Sequence, residues 1–238
     1  MLNEIIDTSV RSPRQAASGP VALELDGLDC ARGGRVLFSG LNRQVRAGEL
    51  LRVQGANGAG KSSLLRMVCG LLEPAAGEVL WQGQPISALR EEFGRHLVYL
   101  GHAAALKDDL TPLENLQLAC TLAGGSIDRI QARRALDEAG LRAQHNTPAR
   151  KLSQGQRRRC VLARLALPPA ARAWAPLWVL DEPFNTLDAA ATQWLCNLVA
   201  VQLHRGGTVV LTSHQDVPLD GLPQQSLALG SPQMEPAQ

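Results

Sequence analysis

Gly55-Ala56-Asn57-Gly58-Ala59-Gly60-Lys61-Ser62 decides how this chain is read. A glycine, four residues, then Gly-Lys-Ser is the spacing of a phosphate-binding loop. Glycines let the backbone curl so that successive N–H groups point inward at phosphate oxygens. A helix that starts at the lysine adds the positive end of its dipole. Lys61 is long enough to reach the outer phosphates, and the hydroxyl of Ser62, which opens the helix with Ser63, can ligate Mg²⁺. The setting agrees. The apolar run Leu50 to Val53 precedes the loop as a strand, and Leu64, Leu65, Val68 and Leu71 follow it with helical period.

Working upstream, Val21, Leu23 and Leu25 alternate as a half-buried strand does. Gly33-Gly34 is a turn, Val36 to Phe38 resumes a strand, and Ala47-Gly48-Glu49 turns into the strand that feeds the loop. Residues 1–20 lack a period and read as a flexible extension. Downstream, the loop helix ends near Gly70, and Gly77 to Gly83 is a short strand closed by a turn. These early strands form a small antiparallel sheet beside the phosphate-binding core.

Leu97 to Leu100 is another apolar strand, after which the character changes. Thr111-Pro112-Leu113-Glu114 is a helix start: Thr111 caps, Pro112 suits the first position and Glu114 completes a capping box. A second helix is expected from about Ser126 to Ala139, stopping at Gly140. Residues 103–165 are therefore read as a mainly helical subdomain. Leu177-Trp178-Val179-Leu180 is a buried parallel strand. Asp188 caps a helix ended by Gly206-Gly207, Thr208 to Leu211 is one more buried strand, and 232–238 is a loose tail. The fold class is α/β: a core of mostly parallel strands, a small antiparallel β subdomain and an inserted α-helical subdomain.

The bulk numbers exclude several classes. A net charge of +2 gives no broad basic surface, and aromatics at 3% leave few platforms for stacked bases, so no nucleic-acid partner is expected. Cys30, Cys69, Cys120, Cys160 and Cys196 show no Cys-x-x-Cys pair and read as reduced core thiols of a cytosolic protein. No apolar run approaches the ~18 residues that cross a bilayer. With Glu4 and Asp7, the first residues do not read as a secretion signal.

Two further stretches carry chemistry. Asp181 and Glu182 leave the C-terminal end of the buried strand, where α/β sheets place ligands. Asp181 can hold Mg²⁺, through water, and Glu182 can orient or deprotonate an attacking water. Leu152-Ser153-Gln154-Gly155-Gln156 opens another helix, with Ser153 as its cap and a second anion-binding end. One nucleotide site needs one such end; a head-to-tail pair of subunits needs both, because each completes the other's site. Arg157, Arg158 and Arg159 read as a solvated helix face, with nearness to phosphate as the alternative.

The order of these stretches, followed by Asn185-Thr186-Leu187-Asp188 and His214, resembles the nucleotide-binding subunit of ATP-binding-cassette (ABC) transporters over residues 21–216. The resemblance implies an ATP-binding domain over 21–231 and a homodimer that sandwiches two ATP molecules with Mg²⁺. Ser153, Gly155 and Gln156 would face the γ-phosphate bound by the other subunit, His214 would contact the γ-phosphate, and Asp188 would lie at the seam. Taken alone, His214 reads as a surface or capping histidine. Two departures stand out. Where the family has a Gln that meets Mg²⁺ and the attacking water, this chain has His102, whose neutral imidazole can accept a hydrogen bond or ligate metal and whose protonated form cannot. The family's adenine-stacking aromatic is missing; Arg32 sits near its place and either stacks through its guanidinium plane or lies in solvent. The stretch 168–176 is longer than in most members and reads as a surface loop.

Details outside the core narrow the resemblance. Gly77-Glu-Val-Leu-Trp-Gln-Gly-Gln-Pro85, Tyr99-Leu-Gly-His102 and Leu106-Lys-Asp-Asp-Leu-Thr-Pro-Leu-Glu-Asn115 look like the ATP-binding subunit of the bacterial cytochrome c maturation (haem exporter) complex. That implies a peripheral ATP hydrolase on the cytoplasmic face of the inner membrane. Its partners would be integral membrane subunits that export haem or release it from its chaperone, with no haem bound by this chain. An ABC subunit for another exported cargo, and a soluble ABC ATPase of iron–sulfur assembly, are the alternatives.

Overall fold

Side chains that alternate along the first strand fix how it lies. In the computed structural model, which describes residues 19–167, 176–213 and 217–230, β1 (Val21–Arg32) buries Leu23, Leu25, Leu28 and Cys30 on one face. β1 pairs antiparallel with β2 (Arg35–Arg46) across the Gly33-Gly34 turn. On its other edge lies β4 (Ala76–Trp81), which turns through Gln82-Gly83 into the two-residue β5 (Gln84–Pro85). The sheet order is β2-β1-β4-β5, the expected antiparallel layer.

The second sheet is parallel throughout, in the order β6-β7-β8-β3-β9, with β3 (Leu50–Gln54), β6 (Leu97–Leu100), β7 (Leu177–Leu180), β8 (Thr208–Thr212) and β9 (Gln224–Ala228). Period-2 geometry sends its side chains to two different cores. Leu177 and Val179 of β7, with Leu51 and Val53 of β3, join Leu23, Leu25 and Trp81 between the two sheets. Trp178 and Leu180, with Leu50 and Leu211, pack on the opposite face against Leu195 and Val199 of α6 (Ala189–His204). A strand covered on both faces is apolar throughout, which is why all four residues of β7 are buried.

The remaining helices are α1 (Lys61–Val68), α2 (Ile86–His96), α3 (Pro112–Leu122), α4 (Arg129–Glu138) and α5 (Gln154–Leu162). The last three enclose a third core of Leu113, Leu116, Leu136, Leu141 and Cys160. Each such side chain, fully buried, contributes roughly 1.5–3 kcal/mol.

Two elements and one boundary differ from expectation. α2 has Pro85 at its N-cap and no side-chain cap, so it carries no start signal. β9 is polar because it is the sheet edge, with Leu227 its one buried residue. α4 begins at Arg129, not Ser126, because the Asp128 carboxylate accepts from the amides of Ile130 and Gln131 at 2.8 and 2.7 Å while Gln131 reaches back to the Asp128 amide. Residues 1–18, 168–175, 214–216 and 231–238, and with them the expected extension, surface loop and tail, lie outside the described residues.

Candidate functional site

β3 ends at Gln54, and the chain turns at once through Gly55 (φ 148°), Gly58 (φ 83°) and Gly60 (φ 100°) into α1. Side chains would not fit two of these turns. A Cβ on Gly55 would stand 2.6 Å from the Leu229 carbonyl, and one on Gly60 would meet the Phe38 ring at 3.1 Å. Gly60 is the N-cap and offers no side-chain acceptor, so the first amides of α1 are left facing the loop. Lys61 is buried, and its ammonium crosses the loop to the carbonyls of Gly55 and Ala56 at 2.7 and 3.0 Å. Ala56, Asn57, Gly58 and Ser62 are exposed, Ala59 is half-buried, and Ser63 is turned inward to Cys30. A cleft of about 360 Å³ opens here, lined by Arg32 and Leu37, by Asn57, Lys61 and Ser62, and by Glu182 from the other side. Arg32 therefore reaches this cleft from the antiparallel sheet.

The two carboxylates at the end of β7 have different surroundings. Asp181 continues the ladder, its amide donating to Leu100 at 2.8 Å, and its side chain is buried. Its Oδ1 accepts from the Thr212 hydroxyl at 2.8 Å, and the same hydroxyl oxygen accepts from the Glu182 amide at 2.8 Å. Thr212, at the end of the neighbouring β8, thus fixes both residues. Its position at the exit of a buried strand was the available signal for it. Glu182 adopts φ 48°, a left-handed conformation that a side chain disfavours by roughly 1–2 kcal/mol. Its Oε2 accepts from the side-chain Nδ2 of Asn185 and lies 3.6 Å from Nδ1 of the exposed His102.

The arginine run differs from the expected solvated face. Arg158 is 5% exposed and donates to backbone carbonyls beyond β6 and β7, because α5 points it into the gap those strand ends leave. Burial holds its pKa below the usual guanidinium value, against the smaller opposing pull of Asp181 and Glu182.

The Ser153 helix start is formed as expected. Ser153 Oγ accepts from the Gln156 amide at 3.2 Å and Gln156 Oε1 accepts from the Ser153 amide at 2.9 Å. The side chain of Gln156 is thus engaged in the cap. Gly155 packs so closely that a Cβ would lie 2.8 Å from the Thr186 carbonyl. This helix start borders a second cleft, of about 710 Å³, with Gln154, Arg157, Asp108, Asn185, Thr186 and His102 on its walls. Within one chain, then, the loop of Lys61 and the helix of Ser153 open on different clefts, and His102 stands close to Glu182 at the rim of the second. Asp188 caps α6, accepting from the Ala191 amide at 2.8 Å. His214 lies outside the described residues.

Oxygen donors suit Mg²⁺: an exposed hydroxyl at Ser62 beside the loop, and Asp181, of whose two carboxylate oxygens Oδ1 takes the Thr212 hydroxyl. Among the described residues no group of three or more His, Cys, Asp or Glu side chains gathers to hold a metal by itself.

The sequence profile of the ABC transporter family matches residues 38–185. The chain is 47% identical over 208 residues to the cytochrome c biogenesis ATP-binding export protein CcmA of Dechloromonas aromatica, covering 87% of this chain and all of that one. It is 53% identical over 191 residues to the protein of the same name from Aromatoleum aromaticum, covering 80% and 87%. Among solved structures, the ATP-binding subunit of an ABC transporter superposes with a TM-score of 0.70 at 27% identity, over 81% of this chain and 79% of that one. A dimeric ATP-binding cassette in a post-hydrolysis state, bound to ADP and Pi, shares the fold with a TM-score of 0.71 at 22% identity, over 88% and 97%.

Proposed function

This chain belongs to the ABC transporter family and, within it, to the family of CcmA cytochrome c biogenesis ATP-binding export proteins, and from that premise we propose that it is the ATP-hydrolysing subunit of a cytochrome c biogenesis transporter. It couples MgATP hydrolysis to haem export, or to haem release from its chaperone, at the inner membrane. It works as a peripheral homodimer docked on integral membrane subunits from the cytoplasmic face. Among the described residues no helix is long and apolar enough to cross a membrane itself. Residues 21–231 act as one ATP-binding domain.

The observation that carries this reading is one cleft with Lys61 on one wall and Glu182 on the other. The amides of residues 55–63 and the Lys61 ammonium bind the phosphates, donating where charge is greatest. Arg32 lies against the base. Ser62 and Asp181 hold Mg²⁺, which when bound neutralises charge on the phosphoryl oxygens. Glu182, with a carboxylate steadied by Asn185, orients and deprotonates the water. His102 assists on that water from the position where relatives of the wider family carry Gln, and His214 contacts the γ-phosphate.

Ser153, Gly155 and Gln156 present an anion-binding helix start to the nucleotide held by the second copy. The separation of their cleft from that of Lys61 supports this head-to-tail pairing. Asp188 then lies at the seam.

Complementation tests the reading. The chain is expressed with its own membrane partner genes in a bacterium lacking its cytochrome c maturation ATPase, and haem-stained c-type cytochromes are assayed. Recovery by the parent and not by Lys61→Ala is expected. Lack of recovery by a chain that hydrolyses ATP in its complex would leave the ATPase and reject the haem-maturation role.

A further inference from the structure

Three successive arginines of α5 go to three different places. Arg157 donates to the Ala149 carbonyl at 2.9 Å and to Asp108 at 2.7 Å. Arg159 reaches the Gly140 carbonyl at 3.3 Å. Arg158 turns inward and spreads its guanidinium over five backbone carbonyls. Nη2 donates to Asp181 at 2.6 Å and Glu182 at 2.9 Å, Nη1 to Gly101 at 2.9 Å and His102 at 3.4 Å, and Nε to Pro183 at 3.4 Å.

Those carbonyls need a donor. They belong to chain that has just left β6 and β7, past the last ladder bonds; the Glu182 carbonyl also accepts from the Asn185 backbone amide at 3.2 Å, and a buried carbonyl left without a donor is costly. Arginine suits the gap because its planar fork carries five donors in fixed directions. A lysine ammonium presents three donors at one point and cannot face both strand ends at once.

The consequence falls on Glu182. Its left-handed backbone at φ 48° is held on one side by the Thr212 hydroxyl, which accepts from its amide, and on the other by the Arg158 guanidinium and the Asn185 backbone amide, which both donate to its carbonyl. That backbone conformation is what places the carboxylate on the wall of the Lys61 cleft. Arg158 is rooted in the helix that Ser153 caps, so one side chain joins three segments: the Ser153 helix, the Glu182 turn and the residues leading to His102.

We propose that Arg158 is a positioning residue for hydrolysis, which makes the placement of the Glu182 carboxylate depend on where the Ser153 helix sits. Its functional half rests on the ATPase reading above; its geometric half does not. Under this arrangement a displacement of α5, which faces the second copy's nucleotide, is transmitted to the turn that serves the chain's own nucleotide.

The test uses the chain assembled with its membrane subunits, comparing the parent with Arg158→Lys and Arg158→Gln. Backbone hydrogen exchange is measured at residues 101–103 and 181–185, beside kcat and KM for ATP. Both variants are expected to raise exchange in these two segments by about tenfold or more, with β3 and α6 unchanged. Turnover is expected to fall about 10- to 100-fold with KM within threefold, and lysine does not restore it. Unchanged exchange in the two segments overturns the proposal, whatever the ATPase does. So does exchange that rises equally through β3 and α6, which would mean a general loss of fold, or kcat within twofold of the parent. Absence of Lys61-dependent hydrolysis in the parent complex would instead reject the ATPase reading, and the exchange comparison would still decide whether Arg158 holds the turn.

Discussion

Nδ1 of His102 lies 3.6 Å from Oε2 of Glu182, so an imidazole stands within reach of a water that the carboxylate would activate. A neutral ring can accept from that water and a protonated one cannot. Glu182→Gln is expected to lower kcat by about 10²–10⁴-fold while ATP still binds. His102→Ala is expected to lower kcat further than His102→Gln does, because the Gln carbonyl still offers that water an acceptor. A kcat for His102→Ala equal to the parent's, measured in the assembled complex, would remove His102 from the chemistry.

Lys61 already has two acceptors inside the loop, the carbonyls of Gly55 and Ala56. Binding phosphate exchanges them for charged oxygens, and a charge-assisted hydrogen bond contributes about 1.5–3 kcal/mol. Lys61→Ala should therefore weaken ATP binding by roughly tenfold to more than a hundredfold, read by titration with a fluorescent nucleotide, and abolish turnover. An unchanged Kd would contradict the placement of phosphate at this loop.

At Gly55 the added methyl of Gly55→Ala meets a backbone carbonyl, that of Leu229, which cannot rotate away. The φ of 148° compounds the problem. Loss of about 1–3 kcal/mol is expected in denaturant unfolding, together with loss of nucleotide binding. A variant as stable as the parent that binds ATP normally would mean that the loop and the end of β9 separate easily.

The capping box of α3 gives a pH signature. Glu114 accepts from both the Thr111 amide and hydroxyl, at 2.8 Å each, and these bonds hold its carboxyl below the usual value. A depressed folded pKa contributes stability that is fully present above the unfolded value of about 4.3 and is lost as pH falls through the folded one. Between pH 6 and acid, Glu114→Gln should show a shallower fall in Tm than the parent. Parallel curves would show that the box is not formed in solution.

Thiol chemistry reports on the cores. All five cysteines are free and buried, and burial pushes the Cys69 thiol far up and that of Cys160 to about 12. The thiolate is the reactive form. Iodoacetamide at pH 8 should leave Cys69 and Cys160 unmodified in the native chain and modify them in denaturant. Rapid native labelling of either would place it outside the cores described.

How much was legible in the sequence depended on whether a residue acts locally. The phosphate loop, β7 and the caps at Thr111, Ser153 and Asp188 were readable because each is a bargain between residues a few positions apart. α2 was not, because its three inward residues Ile86, Leu89 and Phe93 are spread among charges and no cap marks its start. β9 was not, because an edge strand needs few apolar residues. Arg158 was misread for a deeper reason. Its partners lie on two other strand ends, and a run of arginines looks the same in sequence whether it faces water or carbonyls. The contact of His102 with Glu182, and the part of Thr212 in holding both carboxylate residues, depend in the same way on which strands become neighbours.

β9 pairs with β3, and the Leu229 amide that follows it donates to Gln54 at 2.8 Å, directly beneath the first glycine of the phosphate loop. The loop and the strand that braces it stand about 170 residues apart in sequence, so the support is long-range. The same edge strand that completes the parallel sheet therefore also floors the loop, so slippage of β9 along β3 would be felt first at Gly55.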